Sequence, residues 1–319
     1  MILRTPEYYE NFKCIAGECP DSCCQGWEVD ADADSLAYYK TISGDIRKRI
    51  DSVLDKDEFG NTIFRLAEKK RCPFLNAENL CDMHIAIGGE HTPYTCRMFP
   101  RFINDFGNVR EMGISFSCPV ASDMMFNEKE PIAFCDEQND LPPQLNDIDA
   151  QTYYYMLKAR KEAYKIVQDR SVPIKERMVR LLDFAVELQE DLDDYPQPCD
   201  DIDFFDVFRN PELINPEWTQ RVDNGKYNPV SNEIFSENIA VYFIFRYFMT
   251  AVFDYDALSK VKMAVIGVLI PACFGNDSWT MHLWSKETEH SQYNMDRYKL
   301  LLRTAKCLST ENLKKLISL

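Results

Sequence analysis

Glycine is scarce in this chain, with 11 in 319 residues, and no G-x-G-x-G pattern occurs. A Rossmann-type loop, which needs glycines where the backbone approaches a phosphate, is therefore excluded. A P-loop, a G-x-S-x-G elbow and an H-E-x-x-H zinc helix are also missing. No C-x-x-C pair is present, so the knuckles of zinc ribbons and fingers are not met. Positive charge is in deficit: 36 Lys and Arg stand against 52 Asp and Glu, a net charge of −16. Such a field repels nucleic-acid backbones, so no nucleic-acid partner is expected. It suits a cationic partner, though solubility alone is the commoner reason for such a balance. The first residues, MILRTPEYYE, show no basic segment leading into an apolar run, so no secretory signal is expected. The stretch Ile239 to Phe253 is interrupted by Arg246 and is too short to span a bilayer. These absences predict a soluble cytoplasmic protein without a membrane span. Neither an internal repeat nor a low-complexity segment is visible.

Cysteine is what the chain has in excess. Of 12 cysteines, Cys14, Cys19, Cys23, Cys24, Cys72, Cys81, Cys96, Cys118 and Cys135 lie in the first 135 residues. Only Cys199, Cys273 and Cys307 follow. A cytoplasmic chain keeps few structural disulfides, so clustered thiols point to thiolate ligation of a metal. The first four sit in FKCIAGECPDSCCQGW, the next three in RCPFLNAENLCDMHIAIGGEHTPYTCRMFPR, and Cys118 in SFSCPVA. Loops converging on one point are how a metal is caged, and Pro after Cys19, Cys72 and Cys118 fixes the backbone beside each. Soft thiolates suit an iron–sulfur cluster, the favoured reading, or zinc, the alternative metal. Adjacent Cys23 and Cys24 are awkward partners for one centre, because neighbouring side chains tend to diverge. Cys19-x3-Cys23 opens the C-x3-C-x2-C spacing of radical enzymes, but Gly26 stands at the third place. His84 and His91 are possible ligands, and each also reads as a hydrogen-bonded loop residue.

The fold class expected is mainly α, with a loop-rich cysteine and metal-binding N-terminal half packed on a helical C-terminal half. Residues 1–135 form the cysteine-rich region, 136–149 a linker or loop, and 150–319 the helical domain. Ile174, Met178, Leu181, Leu182, Ala185 and Leu188 follow helical spacing behind Pro173. Asn232 to Phe253 and Ala257 to Ile270 read as buried helices, with Asp254 to Asp256 as break and cap. Glu287 to Lys306 and Thr310 to Ser318 close the bundle, while Asp191 to Pro229, rich in proline, reads as irregular.

Taken together, C-x4-C-x3-C-C-x2-W, CPFL…C, TCR-x2-PR and SCP resemble the bacterial flagellin lysine N-methylases (FliB type), within a wider cysteine-rich zinc- or iron-chelating group. The stretch SENIAVYFIFRYF and the run of Glu289, His290 and Asn294 also fit, so the resemblance extends over most of the chain. It implies transfer of methyl groups from S-adenosylmethionine to flagellin lysines, with a bound [4Fe-4S] cluster and flagellin as partner. Cys14, Cys19, Cys23, Cys24, Cys72, Cys81, Cys96 and Cys118 correspond to the family's cysteine pattern. Which four would hold a cluster stays open. So does the oligomeric state, and a metal-chelating structural protein without activity is the competing reading.

Lysine methylation needs a neutral ε-amine, whose ordinary pKa is about 10.4, and a sulfonium held in line with it. Glu289 and His290 are the candidate catalytic residues, although a lone histidine such as His290 is more often a satisfied structural one. Arg97 and Arg101, which flank Cys96, are candidates to grip a cofactor carboxylate or to balance thiolate charge. Surface arginines explain them too. Glu237 and Arg246 lie on an otherwise apolar helix and need partners if buried. The run Tyr153, Tyr154 and Tyr155 can offer aromatic faces to a cation, or simply pack.

Overall fold

A computed structural model describes residues 1–57, 59–144, 146–210 and 212–319 of the chain. Its strands are β1 (Ile2–Pro6), β2 (Val29–Asp30), β3 (Leu54–Lys56), β4 (Thr62–Phe64), β5 (Arg101–Phe106), β6 (Val109–Ile114) and β7 (Phe134–Gln138). The early helices are short: α1 (Ala33–Tyr39), α2 (Asp45–Val53), α3 (Asp82–Ile87), α4 (Tyr94–Met98) and α5 (Pro119–Asn127). The later ones are α6 (Ala150–Val167), α7 (Ile174–Glu190), α8 (Pro216–Asp223), α9 (Glu233–Tyr247), α10 (Ala251–Asp254), α11 (Ala257–Phe274), α12 (Ser278–Glu289), α13 (Gln292–Thr304) and α14 (Thr310–Ile317). The chain is mainly α, as the periodicity predicts. The small sheets are additional, and β6 forms within the apolar stretch Asn108 to Ser117.

Two compact units form: Lys13–Phe102 with Cys118–Val120, and Met1–Phe12, Ile103–Ser117 and Ala121–Leu319. These boundaries differ from the sequence-based division at 135 and 150. The reason is strand pairing, since β1 runs parallel to β6 and antiparallel to β7, so both ends of the cysteine-rich stretch join the helical unit. The expected linker begins as β7, and Leu145 within it lies outside the described residues. Pro211, in the stretch expected to be irregular, does too; further along, that stretch forms α8.

In the larger unit, a four-stranded sheet has the order β5-β6-β1-β7. α11 is the central helix, packed against α7, α9 and α12. It is 18 residues long and apolar enough to cross a membrane by length and composition, yet 94% of it is buried among the protein's own residues. A core helix satisfies the same composition as a spanning one, and here α11, rather than Ile239 to Phe253, is the span that meets the length and hydropathy of a crossing helix. Gly267 lets α9 approach, because a Cβ there would sit 2.7 Å from a Phe243 ring carbon. The break before α11 falls where expected: Tyr255 is left-handed (φ 54°) and Asp256 caps the helix, accepting from the Ser259 amide at 2.9 Å. The single helix expected over Glu287 to Lys306 is instead two, α12 and α13. Ser291 caps α13 through the Asn294 amide at 3.1 Å, which starts a second helix separated from α12 by two residues.

The smaller unit pairs β2-β4-β3. Its core is Val29, Ala31, Tyr39, Ile50, Phe64, Cys72, Phe74 and Met83, with Cys24 and Cys81 packed against it. So small a core cannot order long loops by itself, and polar ties do the rest. Asp32 accepts from the Ser35 amide at 3.0 Å, capping α1, and from the Tyr94 amide at 2.7 Å, fixing the start of α4. Arg49 joins Asp82 at 2.6 Å, holding α2 to α3.

Candidate functional site

The thiols of the smaller unit gather because three loops meet the same core. The Cys72 amide donates to the Cys24 carbonyl at 2.8 Å, and Leu75 bridges to Cys81. The Cys81 sulfur accepts from the His84 amide at 3.5 Å, at the start of α3, and Cys96 sits on α4. The sulfurs lie close enough to act on one another: Cys24, Cys14 and Cys96 raise Cys23, Cys24 and Cys81 raise Cys72, Cys24 raises Cys81, and Cys24, Cys72 and Cys81 raise Cys96. Cys23 and Cys24 are hydrogen-bonded side chain to side chain, so these neighbours do not diverge. That bond draws Cys24 down to about 7, against its burial, and the Ser22 hydroxyl and Arg71 help; Cys23 is pushed up. Burial raises Cys72 to about 12 and also lifts Cys81 and Cys96, with nearby thiolates adding to the effect.

A set of mutually repelling sulfurs, with Arg71 beside Cys24, Arg49 beside Cys72 and Arg97 beside Cys96 as nearby cations, has the donor chemistry of a soft-metal site. Among the described residues, however, no three His, Cys, Asp or Glu side chains converge closely enough to hold an ion. All twelve cysteines are free thiols. Cys19 donates to the Asp21 carbonyl at 3.2 Å, and Cys118 is buried at the head of α5. His91 stacks on Tyr38 with ring centroids 3.7 Å apart.

In the larger unit, α9, α12 and the segment after β6 bring a second group together. The Glu289 side chain, 1% exposed, lies 3.2 Å from Arg246 Nη1. Its carboxylate accepts from the hydroxyls of Tyr242 at 2.9 Å and Ser115 at 3.2 Å, and from Tyr247 and Ser285. Arg246 also donates to the Ser115 hydroxyl at 2.9 Å and lies over the Tyr242 and Tyr247 rings, 5.8 and 5.3 Å from their centroids. His290 Nε2 meets the Ser117 hydroxyl at 2.6 Å. Burial pushes His290 down to about 3, and the positive charges of Arg246 and Lys286 add to that, so the ring is neutral at physiological pH. Sequence reasoning named Glu289, His290 and Arg246 but missed Tyr242, Tyr247, Ser115, Ser117 and Ser285. Part of the signal was present: Tyr242 to Arg246 and Ser285 to Glu289 are four residues apart on a helix. Ser115 and Ser117 sit in the turn after β6, where no periodicity marks them.

The other candidates have partners of their own. Arg97 Nη1 donates to the Glu90 carbonyl at 3.1 Å and to that of Thr92, and Arg101 opens β5. Glu237, fully buried, pairs with Arg177 at 2.7 Å and Arg170 at 2.8 Å. Tyr153 packs near Phe106, Tyr154 is 63% exposed, and the Tyr155 hydroxyl donates to Asp191 at 2.7 Å.

No known family profile matches the chain, and no solved structure matches it. It is 23% identical over 144 residues to the flagellar biosynthetic protein FliU of Salmonella muenchen, covering 44% of this chain and 85% of that protein. It is also 23% identical over 142 residues to a lysine-N-methylase of Salmonella typhimurium, and 24% over 145 residues to that of Salmonella choleraesuis. Those two alignments cover 43% of this chain and 35% of each methylase. The similarity is thus to lysine-modifying methylases as a class. Within that class, the resemblance to the bacterial flagellin lysine N-methylase family drawn from the cysteine motifs is supported by these relatives. They cover less of the chain than the motifs, which run from Cys14 to Asn294.

Proposed function

We propose that the chain is an S-adenosylmethionine-dependent protein-lysine N-methyltransferase acting on flagellin, with an iron–sulfur cluster of the [4Fe-4S] type held by thiols of its smaller unit. The observation that carries this reading is the similarity to two lysine-N-methylases. The flagellar name of a third relative supports the choice of substrate. The packing of Cys24, Cys72 and Cys81 on one core, with Cys14, Cys23 and Cys96 close enough to act on them or on one another, supports the metal. Such a cluster would draw its ligands from these six with Cys19 and Cys118, and when bound would supply a polarising centre and help order the loops.

In the transfer, the lysine nitrogen forms a bond to the methyl carbon as the carbon–sulfur bond breaks, and the electron pair leaves with sulfur. The ammonium product then releases a proton. The chain's own part is to exclude water and align the amine. Glu289 is the proposed proton acceptor, and His290, which burial and nearby positive charge keep neutral, is proposed to orient the amine as a hydrogen-bond acceptor rather than to take its proton. In the smaller unit, Arg97 and Arg101 are proposed to balance thiolate charge or to grip a carboxylate, and the Arg97 charge opposes the rise of Cys96.

The experiment is purification without oxygen, iron and sulfide analysis, and incubation with S-adenosylmethionine and flagellin. Mass shifts of one or more methyl groups on flagellin lysines are expected, lost in metal-free protein. Stoichiometric zinc with no iron, and no methylation, would replace this reading with that of a zinc-stapled structural protein.

A further inference from the structure

A cavity of about 540 Å³ opens in the larger unit between Asp201, Asp203, Phe204, Tyr227, Asn312 and Leu316. Its wall is aromatic. The Tyr227 ring lies 5.6 Å from that of Phe204 and 4.8 Å from that of Phe205, while Phe204 is buried and anchors the set. Its rim is acidic. Asp203 gives one carboxylate oxygen to the Phe205 amide at 2.8 Å, which fixes the side chain and leaves its other oxygen free to accept. Asp201 meets Lys306 only loosely, at 3.9 Å, and the cationic residue of the lining, Lys315, is already paired with Glu311 at 2.6 Å. The protein's own cations cover other tyrosines: Arg246 lies over Tyr242 and Tyr247, Lys262 over Tyr195, and Arg97 over Tyr94. Among the described residues no cation covers the Tyr227 ring, and its hydroxyl has no partner.

A ring face beside a fixed carboxylate, with Leu316 and Phe204 offering apolar surface below, suits an organic cation on an aliphatic stem. We infer that this cavity binds such a cation, and specifically a lysine side chain presented by another protein. The cavity's preference for a cation stands on its own geometry; that the cation is a lysine rests on the methyl-transfer reading above. The sulfonium of S-adenosylmethionine shares the chemistry and is the second source to be tested.

The experiment measures binding to the full chain of three probes: a short peptide with one lysine, the same peptide with that lysine acetylated on Nε, and S-adenosylmethionine. The lysine peptide should bind, and the acetylated peptide should bind at least tenfold more weakly. D203N, which keeps the oxygen that accepts from Phe205, and Y227L should each weaken the lysine peptide about fivefold. Their unfolding midpoints should stay near wild type, because both residues are exposed. Equal binding of both peptides, or no change in either variant, overturns the inference. If the variants weaken S-adenosylmethionine and not the peptide, the lysine assignment falls. Wild-type methylation of flagellin by D203N with unchanged KM would leave the methyltransferase reading standing while removing this cavity from it. Lysine binding with no methylation by wild type would do the reverse.

Discussion

Arg246 and Glu289 form an ion pair at 3.2 Å between α9 and α12, with the Glu289 carboxylate almost completely withdrawn from solvent. Two charges are buried at considerable cost unless each finds further partners. They do: tyrosine and serine hydroxyls converge on Glu289, and two tyrosine faces flank the guanidinium. The pair therefore fixes the angle between the two helices that carry the candidate catalytic residues.

Removing one partner strands the other. Arg246→Met should destabilise the protein by about 3–5 kcal/mol, because Glu289 is left charged and buried. Arg246→Met combined with Glu289→Met should recover much of that loss, since an apolar pair of similar volume carries no desolvation penalty. Urea unfolding midpoints of both variants check this. Equal losses in the single and double variants would show that the pair contributes nothing through its charges.

Glu237 offers an internal contrast. It is fully buried and held by Arg177, itself buried, and by Arg170, whose side chain is 32% exposed. Arg177→Met should cost about 3 kcal/mol or more. Arg170→Ala should cost about 1 kcal/mol or less, because water screens a half-exposed pair. Thermal unfolding of the two variants separates the effects.

Lys262 on α11 is buried beneath the Tyr195 ring, 4.7 Å from its centroid, and donates to the Leu302 carbonyl at 3.0 Å. Burial lowers its pKa to about 8, with Asp256 opposing the shift. The unfolded value is near 10.4. Between about 8 and 10.4 the unfolded chain therefore holds more protons than the folded one, and stability from this residue rises with pH. Below about pH 8 both states are protonated and the penalty of a buried charge is constant. Lys262→Met should flatten stability across that alkaline window, removing a slope of at most about 1.4 kcal/mol per pH unit. Denaturant titrations at pH 7, 8, 9 and 10 test the sign.

Helical periodicity made α7, α9, α11 and α14 legible in the sequence, because each buries a stripe or a whole surface of apolar residues. Strand pairing was not legible: β1 joins β6 and β7 across more than a hundred residues, and no local pattern announces such a partner. Nor did composition show that α12 and α13 are separate, since Ser291 acts through its side chain alone. Charged residues on apolar helices told that partners must exist. Which partners they are, Glu289 for Arg246 and Arg177 for Glu237, is fixed only by tertiary packing. The cysteine motifs announced a shared neighbourhood, and Cys14, Cys23, Cys24, Cys72, Cys81 and Cys96 do share one, although the smaller unit does not draw three sulfurs into an ion-holding arrangement among the described residues.

That neighbourhood divides the cysteines into two classes, and the division can be measured. Cys72 and Cys24 are joined through the backbone and packed on the core, and Cys96 is brought to them by α4, whose start is tied to Asp32. Cys199, Cys273 and Cys307 belong to the other unit, on or beside helices. After reconstitution with iron and sulfide under anaerobic conditions, Cys24→Ser, Cys72→Ser and Cys96→Ser should each lose most bound iron. They should also lose the stabilisation that metal adds, because a site absent from the unfolded chain converts binding into folding free energy. Cys199→Ser and Cys307→Ser should keep wild-type iron content. Asp32→Ala should fall between, losing about 1 kcal/mol of capping and loosening α4, with iron partly retained. Iron lost equally from both classes would place the metal elsewhere, and iron retained in Cys24→Ser, Cys72→Ser and Cys96→Ser alike would leave the gathered thiols without a role in holding it.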